Sequence, residues 1–188
     1  MAVPSRASRR TARVYSFAPV ARPDAEVLIL GSMPGEASLA AGQYYAHPRN
    51  AFWRIMGELL HFDASTPYER RLDALESAHI ALWDVLHSCH REGSLDTRIR
   101  RDTQVANDFA AFLRSHRRIG RVLFNGAKAQ DCFRRHVLCH GIGACLDYQR
   151  LPSTSPANAS WSFARKLAAW RSAILEGHPR GQLRVTLR

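Results

Sequence analysis

The stretch Val27-Leu-Ile-Leu-Gly-Ser-Met-Pro-Gly35, followed by Gln43-Tyr-Tyr-Ala-His-Pro-Arg-Asn-Ala-Phe-Trp53, decides the fold of this chain. Its first four residues form an apolar run that ends at a glycine, the pattern of a strand buried on both faces of a parallel sheet. From position 51 onward, apolar residues recur at helical spacing, and Asn50 stands where an N-cap belongs. The sequence therefore predicts a strand, a polar loop at its carboxyl end, and a helix.

Predicted strands and helices alternate along the rest of the chain. The strands are expected near 26–31, 79–84, 120–125 and 146–151, and the helices near 50–60, 68–77, 103–116, 127–137 and 160–176. Alternation of this kind indicates parallel βαβ units, so we predict an α/β fold, a three-layer α/β/α sandwich with a central four-stranded, mainly parallel sheet. Such sheets bind ligands beyond the carboxyl ends of their strands. The expected cleft is therefore lined by loops 31–49, 84–96, 125–128 and 151–158.

Four short motifs follow one another in this chain, and each is weakly specific alone. They are GSMPGEASL with QYYAHPRNAFW, Leu82-Trp-Asp-Val-Leu86 with Cys89, Arg91 and Gly93-Ser-Leu-Asp96, Val122-Leu-Phe-Asn-Gly-Ala-Lys128, and Leu151-Pro-Ser-Thr-Ser-Pro-Ala-Asn158. In this order they resemble the uracil-DNA glycosylase superfamily, specifically its hypoxanthine-DNA glycosylase branch, family six, over roughly residues 25–175. The resemblance implies a monofunctional DNA glycosylase of base excision repair. Such an enzyme flips a deaminated base, here expected to be hypoxanthine, and hydrolyses its bond to deoxyribose without a cofactor.

The charge of the chain agrees with a nucleic-acid partner. Lys and Arg number 27 against 16 Asp and Glu, a formal charge of +11, and such a surface attracts phosphates. A soluble protein from an arginine-rich proteome would carry the same charge. Residues 1–20 are expected to form a basic arm, which either touches the DNA backbone or has no single role, before one domain over 21–188.

Sequence patterns give no indication of a membrane or a metal. No apolar stretch approaches the ~20 residues of a membrane helix, and the first ten residues lack the apolar core of a signal peptide. We therefore expect a cytoplasmic monomer. The cysteines, at 89, 132, 139 and 145, include no CxxC pair, so free thiols are expected rather than a metal or iron–sulfur cluster, despite His136 and His140 nearby.

The resemblance implies where the reaction takes place. Other branches place Asn or Asp at the third position of the first loop, where this chain has Met33, and the family's pattern moves that role to Asn50. An amide is a weak base, so Asn50 would position water rather than deprotonate it. A helix cap without a catalytic duty is the alternative. His47 is the second catalytic candidate, for proton transfer, although a histidine before a proline is often structural.

Base recognition is expected from Asn125, whose amide can donate and accept together, as the O6 and N1–H of hypoxanthine require. A turn-forming role before a glycine is the alternative for Asn125. Tyr45 is the expected stacking surface for the flipped base, with Tyr44 or Phe124 as alternatives. In the first loop, the main-chain N–H groups of Ser32, Met33 and Gly35 are expected to bind the base carbonyl or a phosphate.

The loop 151–158 resembles the superfamily's second motif, which presses on the DNA backbone. Its hydroxyl residues, Ser153, Thr154 and Ser155, are predicted phosphate partners, and Lys128 is expected to face phosphate or solvent. An ordinary turn is the alternative for this loop. The loop lacks the histidine of the best known uracil enzymes, so leaving-group stabilisation must come from elsewhere.

Three other functions remain compatible with the sequence. These are a uracil or G/U-mismatch glycosylase of the same superfamily, an enzyme acting on free nucleosides or nucleotides, and a DNA-damage binding module without activity. The preference among hypoxanthine, uracil, xanthine and etheno adducts stays open, because the pocket contacts are only partly assigned.

Overall fold

A parallel sheet of four strands forms the centre of the structure, a computed structural model that describes residues 13–176. The strands in chain order are β1 (Arg13–Tyr15), β2 (Val27–Gly31), β3 (Ile80–Asp84), β4 (Leu86–His90), β5 (Val105–Ala106), β6 (Arg121–Asn125) and β7 (Asp147–Leu151). The helices are α1 (Glu36–Ala41), α2 (Phe52–Leu60), α3 (Tyr68–Ser77), α4 (Phe109–Ser115), α5 (Ala127–His136) and α6 (Phe163–Arg171). The central sheet has the order β3-β2-β6-β7, and each neighbouring pair is parallel.

The predicted strands and fold class are confirmed. The four strands of the central sheet end at the predicted residues and begin one residue later than predicted. Every residue of β2 and β3 is buried, as continuous apolar runs in a parallel sheet require.

Helices cover both faces of this sheet and divide the core into two parts. Alternate residues of β2 point to opposite faces, so Leu28 and Leu30 belong to one core cluster and Val27 and Ile29 to the other. The first cluster takes its large aromatics from α4 and α5, and the second takes them from α2 and α6. These two apolar layers fix the helices over the sheet and leave its carboxyl edge free for polar residues.

A second, antiparallel sheet was not predicted. It has the order β1-β4-β5, and β4 follows β3 after a single residue. Residues 13–20 of the expected basic arm are packed on the domain, since β1 pairs with β4 and Val20 bridges to Leu82. The rest of that arm, 1–12, and the last residues, 177–188, lie outside the described part of the chain.

Helix starts differ from the prediction at three places. The helix expected over 160–176 begins at Phe163, because the Ser162 hydroxyl accepts a hydrogen bond from the N–H of Arg165 (3.3 Å). The helix expected over 103–116 begins at Phe109, because the Asp108 side chain accepts a hydrogen bond from the N–H of Ala111 (2.9 Å). In α2 the N-cap position is held by Ala51, yet Asn50 still supplies the capping oxygen, since its Oδ1 accepts from the N–H of Phe52 (3.0 Å). Loop 31–49 also contains the unpredicted helix α1.

Candidate functional site

Three residues form a row across the carboxyl edge of the central sheet. Gly31 is the register partner of Asp84 on β3, and Asn125 ends β6 on the other side of β2. Because Gly31 has no side chain, the space above it is filled from elsewhere. The Tyr45 hydroxyl lies 3.0 Å from the point that a Cβ on Gly31 would occupy, and the Asp84 Oδ1 lies closer still. Gly31 thus brings a carboxyl group and a phenol together at one point.

Tyr45 is held in an unusual backbone conformation that directs its ring into the site. Its φ is 54°, in the left-handed region that residues other than glycine seldom adopt. Tyr45 as a residue is partly exposed, and its ring stacks on Phe52, with centroids 4.1 Å apart and an interplanar angle of 27°. Burial of the hydroxyl raises the pKa of Tyr45, so the phenol stays protonated.

The other two aromatic candidates are part of the core. Tyr44 is buried, its hydroxyl donates to the carbonyl of Ala18 (3.2 Å), and its own carbonyl accepts from the indole N–H of Trp53 (2.7 Å). Phe124 is buried within β6. Of the three aromatic residues considered for stacking on a base, Tyr45 alone is not buried.

Asn125 and Thr154 form a reciprocal pair of hydrogen bonds. The Asn125 Oδ1 accepts from the main-chain N–H of Thr154 (2.8 Å), and the Asn125 Nδ2 donates to the Thr154 Oγ1 (2.9 Å). A main-chain N–H can only donate, so the oxygen of the amide must face it and the orientation of the amide is fixed. Thr154 is wholly buried and both groups bond to Asn125, so the predicted phosphate contact would require its hydroxyl to leave this pair.

A buried group of charges lies beside this row. Burial first, and then the Asp96 carboxylate, raise the pKa of Asp84 to about 8, against the opposing effect of Arg91. Burial also raises the pKa of Asp96, although its Oδ1 accepts a hydrogen bond from the Ser32 hydroxyl (2.6 Å). The Arg91 guanidinium donates to the carbonyl of Pro34 (2.6 Å) and so fixes the first loop. At neutral pH, Asp84 therefore carries a proton in most molecules.

Several polar atoms of this group are buried without a partner. They are the Asp84 Oδ2 and the Nε and Nη1 of Arg91, whereas the Tyr45 hydroxyl interacts with the side-chain amide of Asn125. Buried polar atoms are almost always hydrogen-bonded in folded proteins, so these unpartnered atoms mark a place where water or a polar ligand binds. The sequence motifs contain Asp84, Arg91 and Asp96, but the sequence pattern assigned no function to these residues. The feature that could have identified Asp84 is its position as an acidic residue at the end of an otherwise apolar strand.

The predicted residues of the first loop divide between core and site. Met33 is only 7% exposed and packs in the core cluster that contains Trp83, so its thioether is a structural group. Ser32 is tied to Asp96 through its hydroxyl, and its carbonyl accepts from the N–H of Leu86 (3.1 Å). Gly35 precedes α1 as its N-cap. The structure thus keeps this loop rigid at the edge of the buried charges.

The segment before α2 is a chain of local hydrogen bonds. The N–H of Asn50 donates to the carbonyl of His47 (2.8 Å), and the His47 Nδ1 accepts from the N–H of Arg49 (3.1 Å). This geometry gives His47 a turn-forming role, because its ring nitrogen accepts from a main-chain N–H two residues later. The N–H of Ala51 donates to the carbonyl of Thr154 (3.0 Å), which places Asn50 beside the Asn125–Thr154 pair.

Asn50 also lines an open cleft of about 280 Å³ between α2 and α6. The other lining residues are Pro48, Arg49, Ala51, Arg54, Phe163 and Lys166. Next to it, the Ser153 and Ser155 hydroxyls accept from main-chain N–H groups at 3.2 Å, so their own hydrogens remain available to a phosphate. Lys128 lies in the first turn of α5, where its positive charge lowers the pKa of the Asp96 carboxyl. Lys128 is thus near the buried charges.

The cysteines do not converge. Cys89 and Cys132 are buried, and burial raises the pKa of the Cys132 thiol to about 11, while Cys139 and Cys145 are exposed. Within residues 13–176, no group of three His, Cys, Asp or Glu side chains is arranged to hold a metal ion. Over the same residues, no helix is long and apolar enough to span a bilayer.

Comparison with known proteins assigns this arrangement to a family. The sequence pattern of the Uracil DNA glycosylase superfamily matches residues 18–176. This chain belongs to that superfamily. It is 36% identical over 159 residues to a protein of Methanosarcina acetivorans named hypoxanthine DNA glycosylase, covering 84% of this chain and 96% of that protein. A protein of the same name from Methanosarcina barkeri is 43% identical over 116 residues, 61% of this chain and 72% of its own length.

A solved structure supports the same assignment. The solution NMR structure of a candidate uracil DNA glycosylase from Methanosarcina acetivorans superposes on this glycosylase-superfamily chain with a TM-score of 0.72 and 33% identity. The match covers 87% of this chain and 97% of the other. The family predicted from the four sequence motifs is therefore confirmed, with its fold.

Proposed function

We propose that this superfamily member is a monofunctional DNA glycosylase that excises hypoxanthine from deoxyinosine in DNA. Both named relatives are called hypoxanthine DNA glycosylase, and one of them aligns over 96% of its length. The observation that carries the proposal is the fixed amide of Asn125. A formal charge of +11 supports DNA as the partner. We also propose that the protein acts as a monomer in the cytoplasm, without a cofactor.

The fixed amide supports discrimination between deaminated and normal bases. After its bonds to Thr154, the Asn125 amide keeps one N–H donor and one oxygen lone pair. Hypoxanthine presents the O6 acceptor beside the N1–H donor, whereas adenine presents a donor beside an acceptor in the reverse order. Because Thr154 prevents the amide from turning over, adenine would present a mismatched group to whichever of these two atoms faces the base. The ring of Tyr45 is available to stack on the base.

Asn50 supports the hydrolytic step. Cleavage of an N-glycosidic bond passes through an oxocarbenium-like sugar, and a correctly positioned water is a sufficient nucleophile for it. The Asn50 Oδ1 caps α2, and its amide keeps two donors and a further lone pair for water. The electron pair of the broken bond goes to the leaving base. We propose that Asp84, which is protonated near neutral pH, donates a hydrogen bond to that base. This would stabilise the leaving group in place of the histidine that the second motif lacks.

The experiment uses matched duplexes that each contain one deoxyinosine or one deoxyuridine. After incubation with the protein, alkali converts each abasic site to a strand break, and Asn50→Ala is assayed in parallel. Cleavage at deoxyinosine that disappears in the variant is the expected result. Cleavage at deoxyuridine alone would assign the uracil specificity instead. Intact strands with tight binding would identify a damage-binding module, and intact strands without duplex binding would favour an enzyme of free nucleosides.

A further inference from the structure

The cleft between α2 and α6 is lined by cations without a counter-charge. Arg49, Arg54 and Lys166 line it beside Asn50, and none of its lining residues is Asp or Glu. Among the ion pairs of the described residues, none includes any of these three cations. This part of the site therefore carries an uncompensated positive charge.

Lys166 is the least usual of these cations because it is buried. The residue is only 6% exposed, and its Nζ makes one long hydrogen bond, to the carbonyl of Ser155 (3.5 Å). Burial lowers the pKa of the Lys166 ammonium. An ammonium with little access to water and no paired anion destabilises a fold, and an anion bound in the cleft would offset this cost.

Arg54 is positioned on the same cleft by an aromatic ring. Its guanidinium carbon lies 3.7 Å from the centroid of the Phe163 ring. Stacking of this kind leaves the edge of the guanidinium free to donate hydrogen bonds, and that edge matches two oxygens of a phosphate. Arg54 and Lys166 thus offer a planar donor and a point charge to one ligand.

We propose that this cleft binds a backbone phosphodiester of the DNA adjacent to the flipped nucleotide, with Lys166 and Arg54 as its main contacts. The inference rests on the proposed function insofar as the ligand is DNA. The location supports the assignment, because Asn50 lines the same cleft and Ser155, which Lys166 contacts, belongs to the loop 151–158. A phosphate held here would fix the sugar in front of the water that Asn50 positions.

The first test measures binding without chemistry. A duplex with a tetrahydrofuran abasic-site analogue is titrated with the full chain at several KCl concentrations, using fluorescence anisotropy. Each phosphate contact contributes about 0.9 to the slope of log K against log salt, so Lys166→Met and Arg54→Gln should each reduce the slope by about that amount. Affinity should fall roughly tenfold. Arg118→Gln, an exposed cation just before β6 at the opposite edge of the sheet, is the matched control.

The second test identifies the phosphate. Duplexes with one neutral methylphosphonate at each position flanking the analogue are bound to wild type and to Lys166→Met. At one flanking position, the methylphosphonate should weaken DNA binding by the wild type and leave DNA binding by Lys166→Met unchanged. If no position couples to Lys166, or if Lys166→Met and Arg118→Gln change the slope equally, the inference is overturned.

Three controls distinguish phosphate binding from a structural or nucleophilic role of Lys166. Lys166→Met should retain the thermal stability of the wild type, because methionine fills a similar volume without a buried charge. Lys166→Arg should restore most of the salt slope, which a purely structural role would not require. Borohydride trapping of the wild type on abasic DNA that is lost in Lys166→Met would make Lys166 a nucleophile and overturn the phosphate role. Deoxyinosine cleavage is assayed separately, so loss of the proposed function would be recognised independently.

Discussion

Two polar regions lie at the same edge of the sheet and differ in how their charges are balanced. Around Gly31, the buried carboxyl of Asp84 and the partly buried carboxyl of Asp96 lie near Arg91, so positive and negative groups are held together. In the cleft beside Asn50, Lys166 and its neighbouring arginines have no carboxylate. The first region can therefore control protons and the edges of a base, whereas the second attracts phosphates. We therefore propose that base recognition and backbone binding belong to adjacent but separate residues.

The largest effect is expected at the boundary of the two regions, from Asn50→Ala. Loss of the group that positions water should lower the single-turnover rate on deoxyinosine by about 100- to 1,000-fold. The change also removes the oxygen that caps α2, at a cost of about 1 kcal/mol. Asn50→Ser retains a capping oxygen, so it should recover stability but not the rate. Equal rates for Asn50→Ala and wild type would exclude the catalytic role.

Gly31→Ala should damage the buried region and leave the cleft intact. A Cβ at this position would overlap the Asp84 carboxyl and press on the Tyr45 hydroxyl. Overpacking of this kind costs about 1–3 kcal/mol, which urea unfolding would measure, and displacement of Tyr45 should reduce the rate at least about tenfold. Gly120→Ala is the matched control, because no atom lies within 4 Å of its Cβ position. Wild-type stability and rate in Gly31→Ala would contradict the close approach of Asp84 and Tyr45 to this glycine.

Thr154→Val tests whether the fixed amide reads the base. The variant keeps the main-chain N–H that binds the Asn125 oxygen but removes the hydroxyl that accepts from the Asn125 NH2 group. Loss of this bond should lower kcat/KM for deoxyinosine by about tenfold and reduce the preference over deoxyadenosine. Thr154→Ser should restore both values. Unchanged discrimination in Thr154→Val would remove Thr154 from the recognition unit.

A smaller effect on kcat/KM is expected from a change of pH. It should depend on the buried region around Asp84 and not on the cleft that contains Lys166. With a pKa of about 8, Asp84 is neutral below that pH, so kcat/KM should fall as pH rises through 8. Asp84→Asn keeps a donor that does not ionise, so its profile should lack this alkaline limb. Lys166→Met should retain the limb. A limb that persists in Asp84→Asn would assign the titration to another group.

The same carboxyl gives a prediction for stability, with a definite sign. An aspartate in an unfolded chain has a pKa near 3.9, below the value of about 8 in the folded protein. Between these pH values the folded state binds more protons than the unfolded state, so the free energy of unfolding should fall as pH rises. Urea unfolding of Asp84→Asn, compared with wild type at pH 5 and pH 8, should show a difference that grows with pH.

Local sequence patterns were sufficient to predict the central parallel sheet but not the smaller antiparallel sheet. The strand ending at Gly31 is an uninterrupted apolar run, and such runs predict buried strands wherever they pair. By contrast, β1 and β5 have three and two residues, and their pairing with β4 joins distant parts of the chain. Helix α4 was predicted to begin near 103 but begins at Phe109, because Asp108 supplies the capping oxygen.

Residue types along the chain were enough to predict the family, the four strands of the central sheet with most of their helices, and the loops that carry the polar residues, because these depend on neighbouring residues and on motif order. The state of the site depends on the tertiary structure alone. Thr154 fixes Asn125 from 29 positions away, and the raised pKa of Asp84 depends on burial. Partners and dielectric surroundings are properties of residues brought together in space, so no pattern along the chain contains them.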